Sequence, residues 1–319
     1  MKDLLIKNGT VVTEDSIGIF DVLCSNGIIK QIEPHIDPAS QEKDIEYIDA
    51  SGKTVIPGGV DVHTHLNLDT GSAVACDDFY TGTVAAAFGG TTAIVDHVGF
   101  GPKGCPLDHQ IKKYHSLAGG KAIIDYSFHG VIQHVDDDVL QKIETLQAEG
   151  ITSFKIYLTY DFKLNDSDAY RVLEKAKQAG AIITVHPENH DVIRHLREKY
   201  IREGKTGPAY HPLSRPMECE AEAINRMILL AKMTGDAPLY IVHLSNRLGL
   251  EYIREARKMG QKNLFAETCP QYLFLDDSLY SGGLSGLKYI MCPPLRKKED
   301  AEALWLGLDR DINTIATDH

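Results

Sequence analysis

The amino-acid sequence predicts an α/β protein, built as a (β/α)8 TIM barrel that follows a small β module. Two patterns support this prediction. Short strand-like runs separated by turn signals fill residues 1–54, whereas apolar runs alternate with amphipathic segments from residue 55 onward. Eight βα alternations are typical of a closed barrel, and the alternative is an open, doubly wound parallel sheet.

The N-terminal module, residues 1–54, is typical of antiparallel hairpins. Asn8-Gly9 and Asn26-Gly27 are dipeptides that favour tight turns between strands. The strand-like runs are Leu4–Lys7, Thr10–Val12, Asp21–Cys24 and Ile28–Ile32. A sheet this small buries little by itself, so we expect it to be the N-terminal part of a composite β-sandwich.

The barrel is predicted from residues 55–319. Its eight apolar runs are Val55–His65, Thr91–Val98, Ala122–Val131, Ser153–Tyr160, Ala181–His186, Pro238–Leu244, Asn263–Thr268 and Asn313–His319. Segments with helical periodicity, several with Asp caps and a terminal Gly, include Asp78–Phe88, Asp137–Ala148, Asp166–Ala179, Pro216–Met233 and Glu251–Met259. Because the eighth run has no helix after it, we expect a barrel that lacks its last helix in a chain truncated at its C-terminal side.

Composition narrows the class of ligand. The formal net charge is −12 and lysine and arginine are not clustered, which argues against nucleic acid or an anionic membrane as a partner. The six cysteines are scattered without a Cys-x-x-Cys pair, which favours reduced thiols and a cytoplasmic protein. We therefore expect a soluble protein that binds a small, neutral or weakly charged molecule.

Histidines at strand ends indicate a metal centre. His63 and His65 are two residues apart, so on a strand both imidazoles project to the same face. His186, His243 and Asp318 lie at the ends of the fifth, sixth and eighth runs, where barrel enzymes assemble their sites. Each of these residues alone is more often structural, but together they favour bound metal.

Lys155 is the unusual member of this set, because it lies within the apolar segment Phe154–Leu158. A buried ammonium is costly, so the amine is expected to be neutral or modified. A neutral amine adds carbon dioxide to give a carbamate whose two oxygens can bridge two cations. The alternative is a lysine paired with a buried carboxylate.

The resulting donor set suits two divalent ions, most readily Zn2+, with Mn2+ or Co2+ possible by exchange. Two ions sharing a bridge can bind hydroxide at neutral pH and polarise a carbonyl oxygen. Asp318 can then take the proton of the hydroxide and pass it to a leaving nitrogen. A site of this kind hydrolyses an amide or an ester.

Seven motifs together resemble the dihydropyrimidinase/D-hydantoinase branch of the amidohydrolase superfamily, and the resemblance runs along the whole chain. They are Gly58–His65, Asp77–Phe79 through Gly89–Thr92, Phe154–Tyr160, Val185–Asn189, Ile241–Ser245, Glu267–Tyr272 and Ala316–His319.

The resemblance implies a role for each site residue. His63, His65 and Asp318 would hold one metal ion, His186 and His243 the other, and carboxylated Lys155 would bridge them. Asp318 would also shuttle the proton. Tyr160 matches a tyrosine that stabilises the oxyanion, and Cys292 stands where the family has a serine that grips the cyclic diamide through its main chain, so both are expected to bind substrate.

The expected substrates are cyclic amides, namely 5-substituted hydantoins such as phenylhydantoin, which would open to N-carbamoyl amino acids. Leu66, Leu68 and Phe100 could line the pocket for the ring substituent, and the alternative is that they only pack within their loops. Dihydrouracil and allantoin remain alternative substrates. Alternatives of another class are a noncatalytic scaffold related to dihydropyrimidinase and an inactive truncated fragment. The family resemblance also implies a homotetramer.

Overall fold

The computed structural model describes residues 3–37 and 45–319. The strands of this part of the chain are β1 (Asp3–Val12), β2 (Ile17–Ser25), β3 (Ile28–Glu33), β4 (Ile45–Asp49), β5 (Thr54–Val55), β6 (Gly59–Thr64), β7 (Thr91–His97), β8 (Asp125–Val131), β9 (Ser153–Tyr157), β10 (Ile182–His186), β11 (Leu239–Ile241), β12 (Leu264–Thr268) and β13 (Thr314–Ile315).

The α-helices of the same ranges are α1 (Phe79–Phe88), α2 (Asp108–Ala118), α3 (Asp137–Ala148), α4 (Asp166–Ala179), α5 (His190–Arg202), α6 (His211–Ser214), α7 (Met217–Met233), α8 (Arg247–Lys258), α9 (Pro270–Phe274) and α10 (Lys298–Gly307). Short 3-10 helices span Pro208–Tyr210, Asp277–Ser281 and Gly283–Tyr289. The chain divides into two compact units, one ending at Gly59 and the other beginning at Val60.

In its described residues, the N-terminal unit forms a five-stranded mixed sheet in the order β3-β2-β1-β4, with β5 also paired to β1. The predicted hairpin at Asn26-Gly27 is confirmed, since β2 and β3 pair antiparallel and both turn residues have positive φ. The predicted turn at Asn8-Gly9 is wrong. There β1 continues through a register shift between Ile6 and Gly9, and the main-chain N of Asn8 donates to Asp21 Oδ1 at 2.9 Å. The dipeptide therefore forms a bulge.

The second unit confirms the predicted barrel. Eight strands are hydrogen-bonded in chain order from β6 to β13, and the ladders that join β7 through β13 are parallel. Beyond the ladders, His65 N donates to the His319 carbonyl at 2.7 Å and Asp318 N donates to the His63 carbonyl at 2.9 Å. These two bonds connect the first strand to the last, which excludes an open sheet.

Three barrel strands end three or four residues before their apolar runs do. β9 ends at Tyr157, β11 ends at Ile241 and β13 ends at Ile315, so Tyr160, His243 and Asp318 follow their strands. All three residues have positive φ, of 72°, 40° and 55° respectively. A left-handed residue turns the chain sharply, which ends the regular ladder where predicted site residues begin.

The helices follow the predicted segments closely. α3 and α4 have the predicted bounds, with Asp136 and Asn165 as side-chain N-caps. α8 begins at Arg247 rather than Glu251, because Asn246 Oδ1 accepts from Gly249 N at 2.9 Å and caps an earlier turn. Aliphatic and aromatic side chains from the strands and the surrounding helices form one continuous buried core in this unit.

Residues 99–104 have the spacing Gly-x-Gly-x-x-Gly directly after β7, as in dinucleotide-binding turns. That motif needs a helix opening at its end, but α2 begins only at Asp108 and β7 belongs to a barrel. The spacing therefore does not mark a nucleotide crevice.

The six cysteines are all free thiols, as expected from their scattered positions. Among the residues that the structure describes, no helix combines the length and apolar character needed to cross a bilayer.

Candidate metal centre

The residues predicted around the His-x-His pair converge at the mouth of the barrel. His63 lies near the end of β6 and His65 directly follows this strand. Their Nε2 atoms are 3.2 Å apart, and Asp318 Oδ1 lies 3.0 Å from the first and 3.1 Å from the second. These three side chains thus direct their donor atoms toward one point.

The other predicted histidine pair lies beside the first. His186 ends β10, and His243 lies two residues beyond β11. His186 Nδ1 and His243 Nε2 are 2.8 Å apart, and the rings of His63 and His243 stack with centroids 5.6 Å apart. The four predicted imidazoles therefore form two adjacent pairs.

Lys155 lies beside these pairs, in β9. Its side chain is 1 % exposed, and Nζ is 3.5 Å from His63 Nε2. Burial lowers the pKa of the amine to about 8. In the described ranges no carboxylate oxygen is within ion-pair distance of Nζ, so the alternative of a lysine paired with a buried carboxylate is not observed.

Two buried carboxylates that sequence reasoning did not identify bond the outer ring nitrogens of His63 and His186, the nitrogens that point away from the cluster. Glu267 Oε1 is 2.6 Å from His63 Nδ1, and Glu188 Oε2 is 2.7 Å from His186 Nε2. Metal-ligating histidines commonly bond their outer ring nitrogen to a carboxylate, which fixes the inner nitrogen toward the ion. Glu267 is the next-to-last residue of β12 and Glu188 lies two residues beyond β10, and these positions near strand ends are the signal by which they could have been found.

His97 is a further imidazole at the site that sequence reasoning did not identify. Ligand atoms of His63, His65 and His97 all lie within 4.8 Å of one another, so this group could hold a metal ion. The His97 ring is buried, and among the described residues neither of its nitrogens has a hydrogen-bond partner. Its position as the last residue of β7 was the available signal.

The surroundings set the charges of these groups. Burial opposes a charge on His63, yet the carboxylates of Asp318 and Glu267 raise its pKa to about 9. Burial holds the pKa values of His186 and His243 well below the usual range for histidine. Burial also opposes ionisation of Asp318, but His63 and His65 hold the pKa of this carboxyl well below its ordinary value. Neutral imidazoles, such as those of His186 and His243, and an ionised carboxylate are the forms that bind metal, whereas His63 must lose its proton to do so.

The nitrogen and oxygen donors of this cluster fit a divalent cation. No sulfur ligand is required, and the inner nitrogens converge while carboxylates hold the outer nitrogens of two of the rings. Backbone geometry at Tyr160 supports a functional role, since bulky residues rarely adopt a positive φ.

A cavity of about 1110 Å³ opens above the cluster. Tyr160 and Cys292 line it together with the apolar side chains of Leu68, Phe100 and Phe162. The expectation that Leu66 also lines this pocket is wrong. Leu66 is 2 % exposed, and its side chain packs against Gly82 of α1, where a Cβ would lie 2.3 Å from Leu66 Cδ2.

The site is therefore a candidate metal centre at the C-terminal mouth of a (β/α)8 barrel, the position that metal-dependent barrel hydrolases use. The amidohydrolase family matches residues 54–318, and the chain belongs to this family. The members of this family act with divalent metal ions, in agreement with the histidine cluster.

The chain is also similar to named proteins along its whole length. It is 53 % identical over 317 residues to D-phenylhydantoinase of Escherichia coli O9:H4 (strain HS), covering 99 % of this chain and 68 % of that protein. The crystal structure of D-hydantoinase from Bacillus sp. AR9 is 43 % identical with a TM-score of 0.94 and covers 99 % of this chain and 68 % of that one. L-Hydantoinase (dihydropyrimidinase) from Arthrobacter aurescens is 28 % identical with a TM-score of 0.85, over 100 % and 69 %.

Proposed function

We propose that this chain hydrolyses the ring amide bond of cyclic amides, with 5-substituted hydantoins such as phenylhydantoin as substrates and N-carbamoyl amino acids as products. The observation that carries the proposal is the convergence of four imidazoles, an aspartate and a buried lysine beneath a cavity of substrate size. Similarity to proteins named D-phenylhydantoinase and D-hydantoinase supports the substrate class.

The donor geometry supports separate ligand sets for two divalent ions. His63, His65 and Asp318 would hold one ion and His186 with His243 the other, because each group converges separately. The buried amine of Lys155, close to His63, is the position for an N6-carboxylated lysine that bridges the two. Zn2+ fits these nitrogen and oxygen ligands best, and Mn2+ or Co2+ would fit by exchange. Such ions lower the pKa of water and polarise a carbonyl group.

Asp318 serves as the proton carrier. Its low pKa keeps it ionised at neutral pH, and the Asp318 side chain lines the substrate cavity. In this position the carboxylate accepts a proton from the attacking water and returns it to the ring nitrogen as the amide bond breaks.

Tyr160 serves as the oxyanion donor. The Tyr160 ring lies with its centroid 5.3 Å from the ring of His186, and its side chain faces the cavity. Burial raises the pKa of its phenol well above the usual value, so the hydroxyl keeps its proton and can donate to the carbonyl oxygen as charge develops there.

Apolar residues that line the same cavity favour a substituted ring. Phe100 and Phe162 pack with ring centroids 3.7 Å apart, and Leu68 lines the same cavity. An aryl or alkyl group at the fifth position of a hydantoin would be desolvated against these side chains, whereas unsubstituted dihydrouracil would leave them uncovered. Phenylhydantoin should therefore be the better substrate of the two.

Substitution of Lys155 by alanine tests this proposal. We expect the variant to lose bound metal and hydrolysis of phenylhydantoin together, whereas the parent chain should bind about two ions and turn over. Metal per chain is measured by elemental analysis and ring opening by loss of hydantoin absorbance. Lys163→Ala, an exposed lysine eight positions along, is the matched control.

Three outcomes decide between the alternatives. Full metal occupancy and normal turnover in Lys155→Ala would contradict the bridging role. A parent chain without stoichiometric metal would favour the noncatalytic scaffold. A metal-loaded parent chain that opens none of phenylhydantoin, dihydrouracil and allantoin would contradict the proposed activity.

A further inference from the structure

Arg215 is a buried cation in the wall of the substrate cavity, and the roles proposed so far do not use it. It directly follows α6, and its side chain is only 12 % exposed. Burying a guanidinium is costly unless it is paired and hydrogen-bonded. Its partners therefore show what the buried cation does.

On one side, Arg215 pairs with Glu188. Its Nη1 donates to Glu188 Oε2, the same oxygen that lies 2.7 Å from His186 Nε2. Burial opposes the charge of the guanidinium, but the Glu188 carboxylate raises the pKa of Arg215 above its ordinary value, so the cation is permanent. A single carboxylate oxygen thus connects Arg215 to a proposed metal ligand.

On the other side, Arg215 faces Tyr160. The guanidinium carbon is 5.6 Å from the centroid of the Tyr160 ring, and the guanidinium lies beside the phenol hydroxyl. Cys292 lies against the same hydroxyl. A fixed cation beside a phenol polarises its O–H bond and stabilises negative charge that forms nearby.

The position of Arg215 is itself fixed. Its carbonyl accepts from Arg296 Nη1 at 2.5 Å, and Arg296 pairs with the fully buried Glu220 at 3.0 Å. Arg296 thus holds the main chain of Arg215, and Glu188 holds its guanidinium. This rigidity is what a group needs if it is to orient another side chain.

We propose that Arg215 is a positioning residue for Tyr160. It directs the phenol hydroxyl toward the oxygen of the scissile carbonyl, and it ties that donor to the metal centre through Glu188 and His186. The inference rests on the proposed function, because the oxyanion role of Tyr160 belongs to it. A purely structural ion pair would hold the loop after α6 but would not act through the Tyr160 hydroxyl.

A double-mutant cycle separates these roles. Arg215→Met is expected to lower kcat by about 10–100-fold with little change in KM or in metal per chain. Tyr160→Phe is expected to lower kcat by about 100–1,000-fold. If Arg215 acts through the hydroxyl, the double variant should be no slower than Tyr160→Phe alone. Losses that multiply in the double variant would overturn the proposal.

Two further variants control for folding and for loss of an ion pair. Arg215→Lys keeps a charge for Glu188 but lacks the planar fork that reaches two partners, so it should fold normally and still lower kcat. Arg226→Met removes an arginine that pairs with Asp166 and Glu222 on the outer helices, and it should leave kcat unchanged. An Arg215→Lys chain with unchanged kcat would contradict the positioning role.

A second readout does not depend on turnover. In protein labelled at the tyrosine ζ carbon, the Tyr160 signal in the NMR spectrum is the one missing from Tyr160→Phe. We expect this signal to shift in Arg215→Met and Arg215→Lys, while that of Tyr240, which contacts Glu267 and Thr314, stays in place. An unmoved Tyr160 signal would overturn the proposal. Absence of turnover in the parent chain would instead contradict the proposed function, leaving this spectrum to decide the role of Arg215.

Discussion

The two halves of the metal centre are supported in different ways. The first half consists of His63, His65 and Asp318, and its supports lie inside the barrel wall. Glu267 holds His63 from β12, and Asp61 Oδ2 accepts from Thr317 Oγ1 at 2.6 Å, joining the segment before His63 to the segment before Asp318. This half is therefore built into the contact between the first and last strands.

The second half consists of His186 and His243, and its supports reach the substrate cavity. Glu188 bonds His186 and also pairs with Arg215, which contacts Tyr160. A change in this half is therefore transmitted to a residue that faces substrate, whereas a change in the first half is transmitted to the barrel closure. Changes in the first half should therefore affect mainly metal binding, whereas changes in the second half should also affect stabilisation of the reacting carbonyl by Tyr160.

The largest effect is expected from Asp318→Asn in the first half. The amide cannot accept the proton of the attacking water, and it is a poorer metal ligand than the carboxylate that contacts His63 and His65. We expect kcat/KM to fall by about 1,000–10,000-fold, at the upper end for loss of a general base and a ligand together. Metal per chain should fall from about two to about one.

Steady-state kinetics and elemental analysis on the same samples measure both quantities. Asp309→Asn, at an exposed position nine residues earlier, is the control and should behave as the parent chain. If Asp318→Asn kept both ions and normal turnover, the first half of the centre would have been assigned wrongly.

An intermediate effect is expected from the orienting glutamates, each of which bonds an imidazole ring of one half. Glu267 Oε1 also accepts from the main-chain N of His243 at 3.0 Å, a bond that the amide oxygen of a glutamine keeps. In Glu267→Gln the anchor of His63 Nδ1 becomes a neutral amide, so the affinity for the ion of the first half should fall by about 10–100-fold. Glu188→Gln should weaken the ion of the second half by a similar factor and should also lower kcat, because it releases Arg215.

Competition with a chelator measures the two affinities, and kcat is measured at saturating metal. The comparison fails if the two variants weaken the same ion, or if Glu267→Gln lowers kcat as much as Glu188→Gln once the site is filled.

The strand-end ligands could be predicted from sequence because they depend on local spacing. His63 and His65 are two residues apart on one strand, and parallel strands bring His186 and His243 to the same mouth. Their orienting partners depend on distant pairing. Glu267 is 204 residues from His63 in sequence, and only the closed barrel brings the two side chains together.

Arg215 could not be predicted because it lies between two helices with no periodic pattern around it. The bulge at Asn8-Gly9 was missed for a related reason. The dipeptide itself favours a tight turn. In the folded sheet, however, the Asp21 carboxylate on β2 accepts a hydrogen bond from the main-chain N of Asn8, and this tertiary contact overrides the local preference. In both cases the deciding contact comes from another part of the chain.

The smallest effect is expected from Cys292→Ser, which changes the atom beside the Tyr160 hydroxyl without changing the shape of the cavity. Burial raises the pKa of the Cys292 thiol, so this thiol is neutral at physiological pH and is not a nucleophile. The serine hydroxyl is a better acceptor than a thiol sulfur, so it should draw the Tyr160 O–H partly away from the carbonyl oxygen.

We expect kcat for phenylhydantoin to fall by less than about tenfold, equivalent to about 1.4 kcal/mol of transition-state stabilisation, with unchanged metal content. Cys24→Ser, in the N-terminal sheet, is the control and should not alter kcat. If Arg215 fixes the orientation of Tyr160 as proposed, the effect of Cys292→Ser should increase in the Arg215→Lys background, because the weakened guanidinium contact no longer opposes the new acceptor. A loss above about 100-fold in Cys292→Ser alone would show that the thiol, and not the Arg215–Tyr160 contact, controls the oxyanion side of the cavity.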